Sequence, residues 1–156
     1  MPCLRMLAHE ENIPLAVLSN GNAEIKTGAD ATNELGRLLA KSITARDIGA
    51  MKPNIVNFLS LAQMFNSHPS RILYVGDSFD NDIVGAKGVN MHCALLTRGS
   101  TVRNSQGDTV YRPDIHLSSL DPVEFREKVF NYIVNQIELV DNNVHGWDIK
   151  ERERIL

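Results

Sequence analysis

Short apolar runs alternate with longer amphipathic stretches along most of this sequence. The runs have the length of buried β-strands, and turn-forming residues bound them. They lie at residues 15–18, 71–75, 92–96 and 114–117, with a weaker run at 42–48. The pattern therefore predicts five short strands.

Between these runs, apolar residues recur at the spacing of one helix face. Helices are predicted before residues 12–14, over 31–40, from 53 onwards, over 81–87 and from 121 onwards. The third helix is expected to begin at Pro53 and to have an apolar stripe of Ile55, Leu59, Ala62 and Phe65, and the fourth to end at Gly88 in a left-handed cap. The last helix has its predicted apolar stripe at residues 130, 133, 134, 137 and 140.

Strands separated by helices imply βαβ units, and hence an α/β fold with a doubly wound parallel sheet. In such a sheet, ligands bind beyond the carboxyl ends of the strands. The polar residues that follow the runs at 15–18 and 71–75 are therefore the first candidates for a site.

Length and composition fit one domain. The chain has 156 residues, 43% of them hydrophobic, and we expect a core domain at 1–140 and a polar tail at 141–156. The formal charge of −3 argues against a nucleic-acid partner. No apolar run is long enough to cross a membrane, and the first residues lack a secretory pattern. Cys3 and Cys93 have no metal-binding spacing, so we expect free thiols and a cytoplasmic location.

The first candidate site is Ser19-Asn20-Gly21, directly after the run at 15–18. A hydroxyl, an amide and a glycine turn offer several donors to a phosphate oxygen. The same residues are common in ordinary turns, so this segment alone leaves both interpretations open.

The second candidate is Lys52, which precedes Pro53 and the predicted helix. A lysine at this place opposes the helix dipole, which is easier to understand if the ammonium group serves an anion. An exposed lysine also needs no special explanation.

The strongest signal is the acidic segment 76–82, which follows the best strand of the chain. Three carboxylates, those of Asp77, Asp80 and Asp82, repel one another there unless a cation or a lysine lies among them. Such oxygen ligands suit Mg²⁺. A calcium EF-hand loop is excluded because its required glycine and glutamate are absent. An acidic helix start would explain Asp80 and Asp82 better than Asp77.

Taken in order, these segments resemble motifs of the haloacid dehalogenase (HAD) superfamily. Residues 15–21 resemble its second motif, Lys52-Pro53 its third and residues 74–86 its fourth, and Leu96-Thr97-Arg98-Gly99 also fits. The resemblance covers about residues 2–120. It implies a HAD-like Rossmannoid core and a Mg²⁺-dependent phosphohydrolase that acts on a small phosphorylated metabolite through an aspartyl-phosphate.

The resemblance also implies roles for single residues. Ser19 and Asn20 would bind the phosphate, and Lys52 would both bind it and neutralise charge during catalysis. Asp77 would contact the Mg²⁺. Asp82 would orient Lys52 or a metal-bound water, with Ser78 as a further outer neighbour.

Dehalogenases of the same superfamily do not need the metal. Their fourth motif lacks the Gly-Asp pair that stands here at Gly76-Asp77. The resemblance therefore favours phosphate chemistry.

One motif of the family is missing from these residues. Its Asp-x-Asp nucleophile motif precedes the second motif, whereas no aspartate precedes Ser19 here. The segment 80–82 has the right letters but lies inside the fourth motif. We expect a truncated, inactive carboxyl-terminal part of a longer enzyme, without the first central strand and without the cap.

A sheet without its central strand has open edges, which invite association. Self-association through exposed strand edges is therefore expected. The alternative function is a non-catalytic module of the same fold that binds Mg²⁺ or phosphate, or that acts through association.

Overall fold

The structure, a computed structural model, describes residues 1–21, 25–98 and 111–136. Within these ranges five strands form two sheets, one in the order β1-β2 and one in the order β3-β4-β5. The strands are β1 (Leu15–Ser19), β2 (Leu39–Thr44), β3 (Leu73–Gly76), β4 (His92–Leu96) and β5 (Ile115–Leu117). Every neighbouring pair is parallel, which confirms the predicted α/β class.

Helices connect the strands. They are α1 (Pro2–Arg5), α2 (Glu34–Leu38), α3 (Ala45–Ile48), α4 (Ile55–Met64), α5 (Val84–Gly88) and α6 (Pro122–Phe125). π-helical turns extend three of them, at Met6–Glu10 after α1, Phe79–Ile83 before α5 and Arg126–Phe130 after α6. Helical backbone continues over 131–136. Within the described ranges, no helix combines the length and the apolar character that crossing a membrane requires.

Apolar cores cover both faces of the strands. On one face, Leu18 of β1 and Tyr74 of β3 share a cluster with Phe58 of α4. On the other face, residues of β4 and β5 pack against α1, α6 and the turn that follows α6. Because helices pack on both faces, the doubly wound arrangement is also confirmed.

Each of the two sheets has an open edge, at β1 in one and at β3 in the other. Strand β1 pairs only with β2, and β3 only with β4, among the residues that the structure describes. The shared apolar cluster nevertheless joins both sheets on one face. This agrees with the predicted incomplete sheet.

The predicted boundaries between 31 and 48 are wrong. Helix α2 ends at Leu38, and β2 ends at Thr44 rather than at residue 48. The reason is a reciprocal cap at the start of α3. The Asp47 carboxylate accepts a hydrogen bond from the Thr44 amide at 2.8 Å, and the Thr44 hydroxyl accepts one from the Asp47 amide at 3.4 Å. Such a cap starts a helix and so ends the strand.

The predicted start of α4 is wrong as well, and its predicted buried face is correct only in part. The helix begins at Ile55, because the Asn54 side chain caps it. Ile55 and Leu59 are exposed, at 49% and 45%, while Phe58 is fully buried. Ala62 of the predicted stripe is buried and Phe65 packs against the same core, so the sequence pattern identified only part of the buried face.

Two further predictions fail. Gly88 is the last residue of α5, and the left-handed backbone belongs to Asn90, with φ of 67°. In the last helix, Phe130 of the predicted stripe packs against the core, but Ile133 and Val134 are exposed, and Val129 is buried instead. Residues 137 and 140 of the predicted stripe, the predicted tail at 141–156 and most of the predicted loop at 99–112 lie outside the described residues.

Both cysteines are free thiols, as predicted, and both are buried. Burial raises the pKa of the Cys93 thiol to about 12. It also raises the pKa of Cys3. Neither thiol is therefore disposed to act as a nucleophile.

Candidate functional site

A buried ion pair joins the second and third candidate segments. The Lys52 ammonium group lies 2.6 Å from Oδ1 of Asp82, and these side chains are only 13% and 4% exposed. The other carboxylate oxygen of Asp82 accepts a hydrogen bond from the Ser78 amide at 3.0 Å. Asp82 therefore has protein partners on both oxygens.

Tyr74 completes this pair from the strand β3. Lys52 donates a hydrogen bond to the Tyr74 hydroxyl at 3.1 Å, and that hydroxyl donates to Oδ1 of Asp82 at 3.1 Å. Burial, and next the neighbouring Asp82 carboxylate, raise the pKa of Tyr74. The phenol therefore remains a neutral donor, and it holds both charged groups in place.

Gly76 makes room for this arrangement. A Cβ atom at this position would overlap the Asp82 side chain. The glycine before Asp77 thus allows Asp82 to fold back against the end of β3.

Asn20 connects the first candidate segment to the Lys52 backbone. Its Oδ1 accepts a hydrogen bond from the Lys52 amide at 2.7 Å, and its Nδ2 donates to the Lys52 carbonyl at 3.3 Å. The side chain therefore positions the Lys52 segment against the end of β1.

Ser19 is the last residue of β1 and is half-buried. Its hydroxyl oxygen accepts a hydrogen bond from the Gly21 amide at 2.9 Å. The hydroxyl hydrogen is then available to donate to an oxygen of a ligand.

Asp77 lies at the end of β3 and differs from Asp82 in its surroundings. Its side chain is 59% exposed, and its carboxylate faces the Arg98 guanidinium at 3.6 Å. In the described part of the chain, no three His, Cys, Asp or Glu side chains gather as a metal-binding group. A site for Mg²⁺ with one protein carboxylate, completed by water and phosphate oxygens, is still compatible with this ion's preferences. Asp77 fits that requirement because its side chain is exposed, whereas both carboxylate oxygens of Asp82 already have protein partners.

The structure thus brings together most of the residues that the sequence singled out. Direct hydrogen bonds link Asn20, Lys52, Asp82 and Ser78, with Ser19 beside Asn20 and Asp77 beside Ser78. Tyr74 was missed as a member of the site. A signal existed, since alternate residues of a strand share a face, which puts Tyr74 on the side of Gly76.

The arrangement offers a fixed cation next to hydroxyl and carboxylate groups. An ammonium group has three N–H donors, and two of those on Lys52 have partners among the described residues. The third can bind an anion. Fixed donors of this kind stabilise developing negative charge without reorganising.

Part of the sequence, and the fold of most of the chain, are similar to those of known proteins. Residues 49–123 match the family model described as HAD-hydrolase-like. A comparison with curated proteins finds no match.

Solved structures match over most of the chain. A 2-haloacid dehalogenase from Pseudomonas syringae pv. Tomato DC3000 is 26% identical over 79% of this chain and 49% of its own, with a TM-score of 0.66. A HAD phosphatase from Thermococcus onnurineus is 25% identical over 81% of this chain and 54% of its own, also with a TM-score of 0.66. A predicted phosphoglycolate phosphatase from Haemophilus somnus 129pt, at 21% identity and a TM-score of 0.62, covers 78% of this chain and 52% of its own, and shares the fold. This chain spans about half the length of these structures.

Proposed function

We infer, since this chain belongs to the haloacid dehalogenase (HAD) superfamily of hydrolases, that its whole protein hydrolyses a phosphate monoester of a small metabolite with the help of Mg²⁺. The observation that carries this proposal is the buried Lys52–Asp82 pair beside the end of β1. An exposed lysine would need no partner, whereas this one is held in place by two side chains.

The chain's own residues supply the contacts of a phosphate site. The Ser19 hydroxyl and the third N–H of Lys52 would bind phosphate oxygens, and Asn20 would hold the Lys52 segment in position. Tyr74 and Asp82 would hold the ammonium group in a fixed orientation. These groups are in place before a ligand arrives, which is what makes such electrostatic stabilisation effective.

Asp77 would hold the Mg²⁺, and the ion when bound neutralises negative charge on the phosphate. Its carboxylate is accessible, and its one ion-pair contact among the described residues is the exposed pair with Arg98. Phosphate chemistry is preferred to dehalogenation because an acidic residue that can hold a metal directly follows Gly76.

The reaction also needs a nucleophile, and no aspartate precedes Ser19 in these 156 residues. We therefore propose that other residues of the whole protein supply it. The 156-residue chain should bind phosphate and Mg²⁺ but should not turn over p-nitrophenyl phosphate.

Phosphate binding by the 156-residue chain tests the proposal. In NMR titrations with inorganic phosphate and Mg²⁺, Ser19→Ala should weaken binding about tenfold, because one hydrogen bond to a charged oxygen is lost. The double variant Lys52→Met/Asp82→Asn, which removes both charges together, should weaken it at least as much.

Ser70→Ala and Lys41→Met serve as matched controls. Both side chains are exposed and lie away from the carboxyl ends of β1 and β3, so phosphate affinity should not change. If Ser19→Ala and the double variant bind phosphate as tightly as the unmodified chain, the proposed phosphate site does not exist.

Mg²⁺ binding tests the role of Asp77. Asp77→Asn should abolish Mg²⁺-dependent shifts of the amide signals at 76–78. Arg98→Gln should tighten Mg²⁺ binding about two- to fivefold, the range expected when a weak, exposed ion pair no longer competes for the carboxylate. Unchanged Mg²⁺ affinity in Asp77→Asn would exclude this residue as the ligand.

A second candidate function, an association module without catalysis, is favoured by the open edges of β1 and β3. Unpaired strand edges are templates for pairing with another chain. Sedimentation equilibrium distinguishes the two functions. A stable oligomer that binds neither phosphate nor Mg²⁺ would favour association, whereas a monomer that binds both would favour the phosphohydrolase.

A further inference from the structure

A cavity of about 490 Å³ lies beside the Asn20 turn, at the carboxyl ends of β1 and β2. Its volume is within the range of small-molecule sites. The residues that line it come from the turn after β1, from α3 and from the segment before Lys52: Asn20, Ala45, Arg46, Gly49, Ala50 and Met51.

Arg46 is the charged residue of this lining, and no acidic side chain lines the cavity with it. The neighbouring Asp47 does not neutralise it by contact. Both the amide and the hydroxyl of Thr44 donate to the Asp47 carboxylate, at 2.8 and 2.7 Å. Among the described residues, no hydrogen bond or ion pair within 4.0 Å involves the Arg46 guanidinium. This group is therefore available to an anion, which it can bind through two parallel hydrogen bonds.

Asn20 connects the cavity to the phosphate site. It lines the cavity, and its side chain is also hydrogen-bonded to both the amide and the carbonyl of Lys52. A ligand with one anionic group at Ser19 and Lys52 would therefore extend directly into the cavity. Met51, which is 63% exposed, offers apolar contact to the carbon chain between the two ends.

We propose that this cavity receives the organic part of the substrate and that Arg46 binds a second anionic group on it, a carboxylate or another phosphate. This inference rests on the proposed function and narrows its substrate class. Arg46 is then a specificity-determining residue, which favours doubly anionic phosphate esters over esters of neutral alcohols.

The test compares three ligands in NMR titrations of the 156-residue chain with Mg²⁺. Glycerol 3-phosphate has one anionic group, 3-phosphoglycerate adds a carboxylate, and propanediol bisphosphate adds a second phosphate. At least one doubly anionic ligand should bind about tenfold more tightly than glycerol 3-phosphate. The tighter of the two identifies the second group.

Arg46→Gln should remove this preference, so that the doubly anionic ligands bind about as tightly as glycerol 3-phosphate. Arg37→Gln is the matched control, since Arg37 is an exposed arginine of α2, which precedes β2 instead of following it. Equal binding of all three ligands, or a preference that survives Arg46→Gln, would overturn this inference alone. Failure of every ligand to bind, inorganic phosphate included, would overturn the proposed function and this inference with it.

Discussion

Lys52→Met should lower the free energy of unfolding of the 156-residue chain by about 3–5 kcal/mol. The substitution removes the cation and leaves the Asp82 carboxylate, only 4% exposed, without its charged partner. The Tyr74 hydroxyl and the Ser78 amide still donate to that carboxylate, but two neutral donors do not replace an ammonium group at 2.6 Å. Urea unfolding followed by circular dichroism measures the effect.

The double variant Lys52→Met/Asp82→Asn is the decisive control. An amide at position 82 keeps the shape and can still accept from the Ser78 amide, while no buried charge remains without a partner. We therefore expect the double variant to be more stable than Lys52→Met alone. If the two variants unfold at the same urea concentration, or if Lys52→Met stays within about 1 kcal/mol of the unmodified chain, the pair is not buried as described.

The contrast between Asp82 and Asn20 indicates how much of the site could be predicted. The sequence suggested that a cation or a lysine lies among the acids, because three close carboxylates are otherwise unfavourable, and the structure places Lys52 against Asp82. Nothing in the local pattern indicated that the Asn20 side chain would bond the Lys52 backbone. That contact joins residues that are 32 positions apart, so it depends on how two strand ends meet.

The fold was predictable to a similar degree. The alternation of strands and helices along the chain, and the parallel arrangement of the strands, follow from the alternation of apolar runs and amphipathic stretches. The buried face of α4 does not follow from it. Its apolar residues lie on more than one side, and helical spacing alone gives no preference between Leu59 and Phe58. The buried face of α4 is determined by the helix that packs against it, α5. Gly85 of α5 offers a surface without a side chain, and the Phe58 ring packs against it.

Gly85→Ala should therefore destabilise the chain by about 2–3 kcal/mol, although alanine is normally the better helix residue. A Cβ atom there would overlap the Phe58 ring and would lie 2.8 Å from the Pro53 carbonyl oxygen. Phe58 is fully buried, so its ring has no free space to move into. Because Pro53 follows Lys52, the displacement should also reach the Lys52 ammonium group and weaken binding of inorganic phosphate. Urea unfolding and the phosphate titration measure the two effects.

Gly88→Ala, in the same helix, is the matched control. A Cβ atom at Gly88 would meet only the Ile55 side chain, at 3.3 Å, and Ile55 is half exposed and can move aside. Its cost should be far smaller, because the gain in helix propensity offsets the contact. Combining Gly85→Ala with Phe58→Leu should cost less than the sum of the two single changes, since the smaller side chain relieves the overlap. Strict additivity, or equal effects of Gly85→Ala and Gly88→Ala, would mean that the close approach of α4 and α5 does not determine which face of α4 is buried.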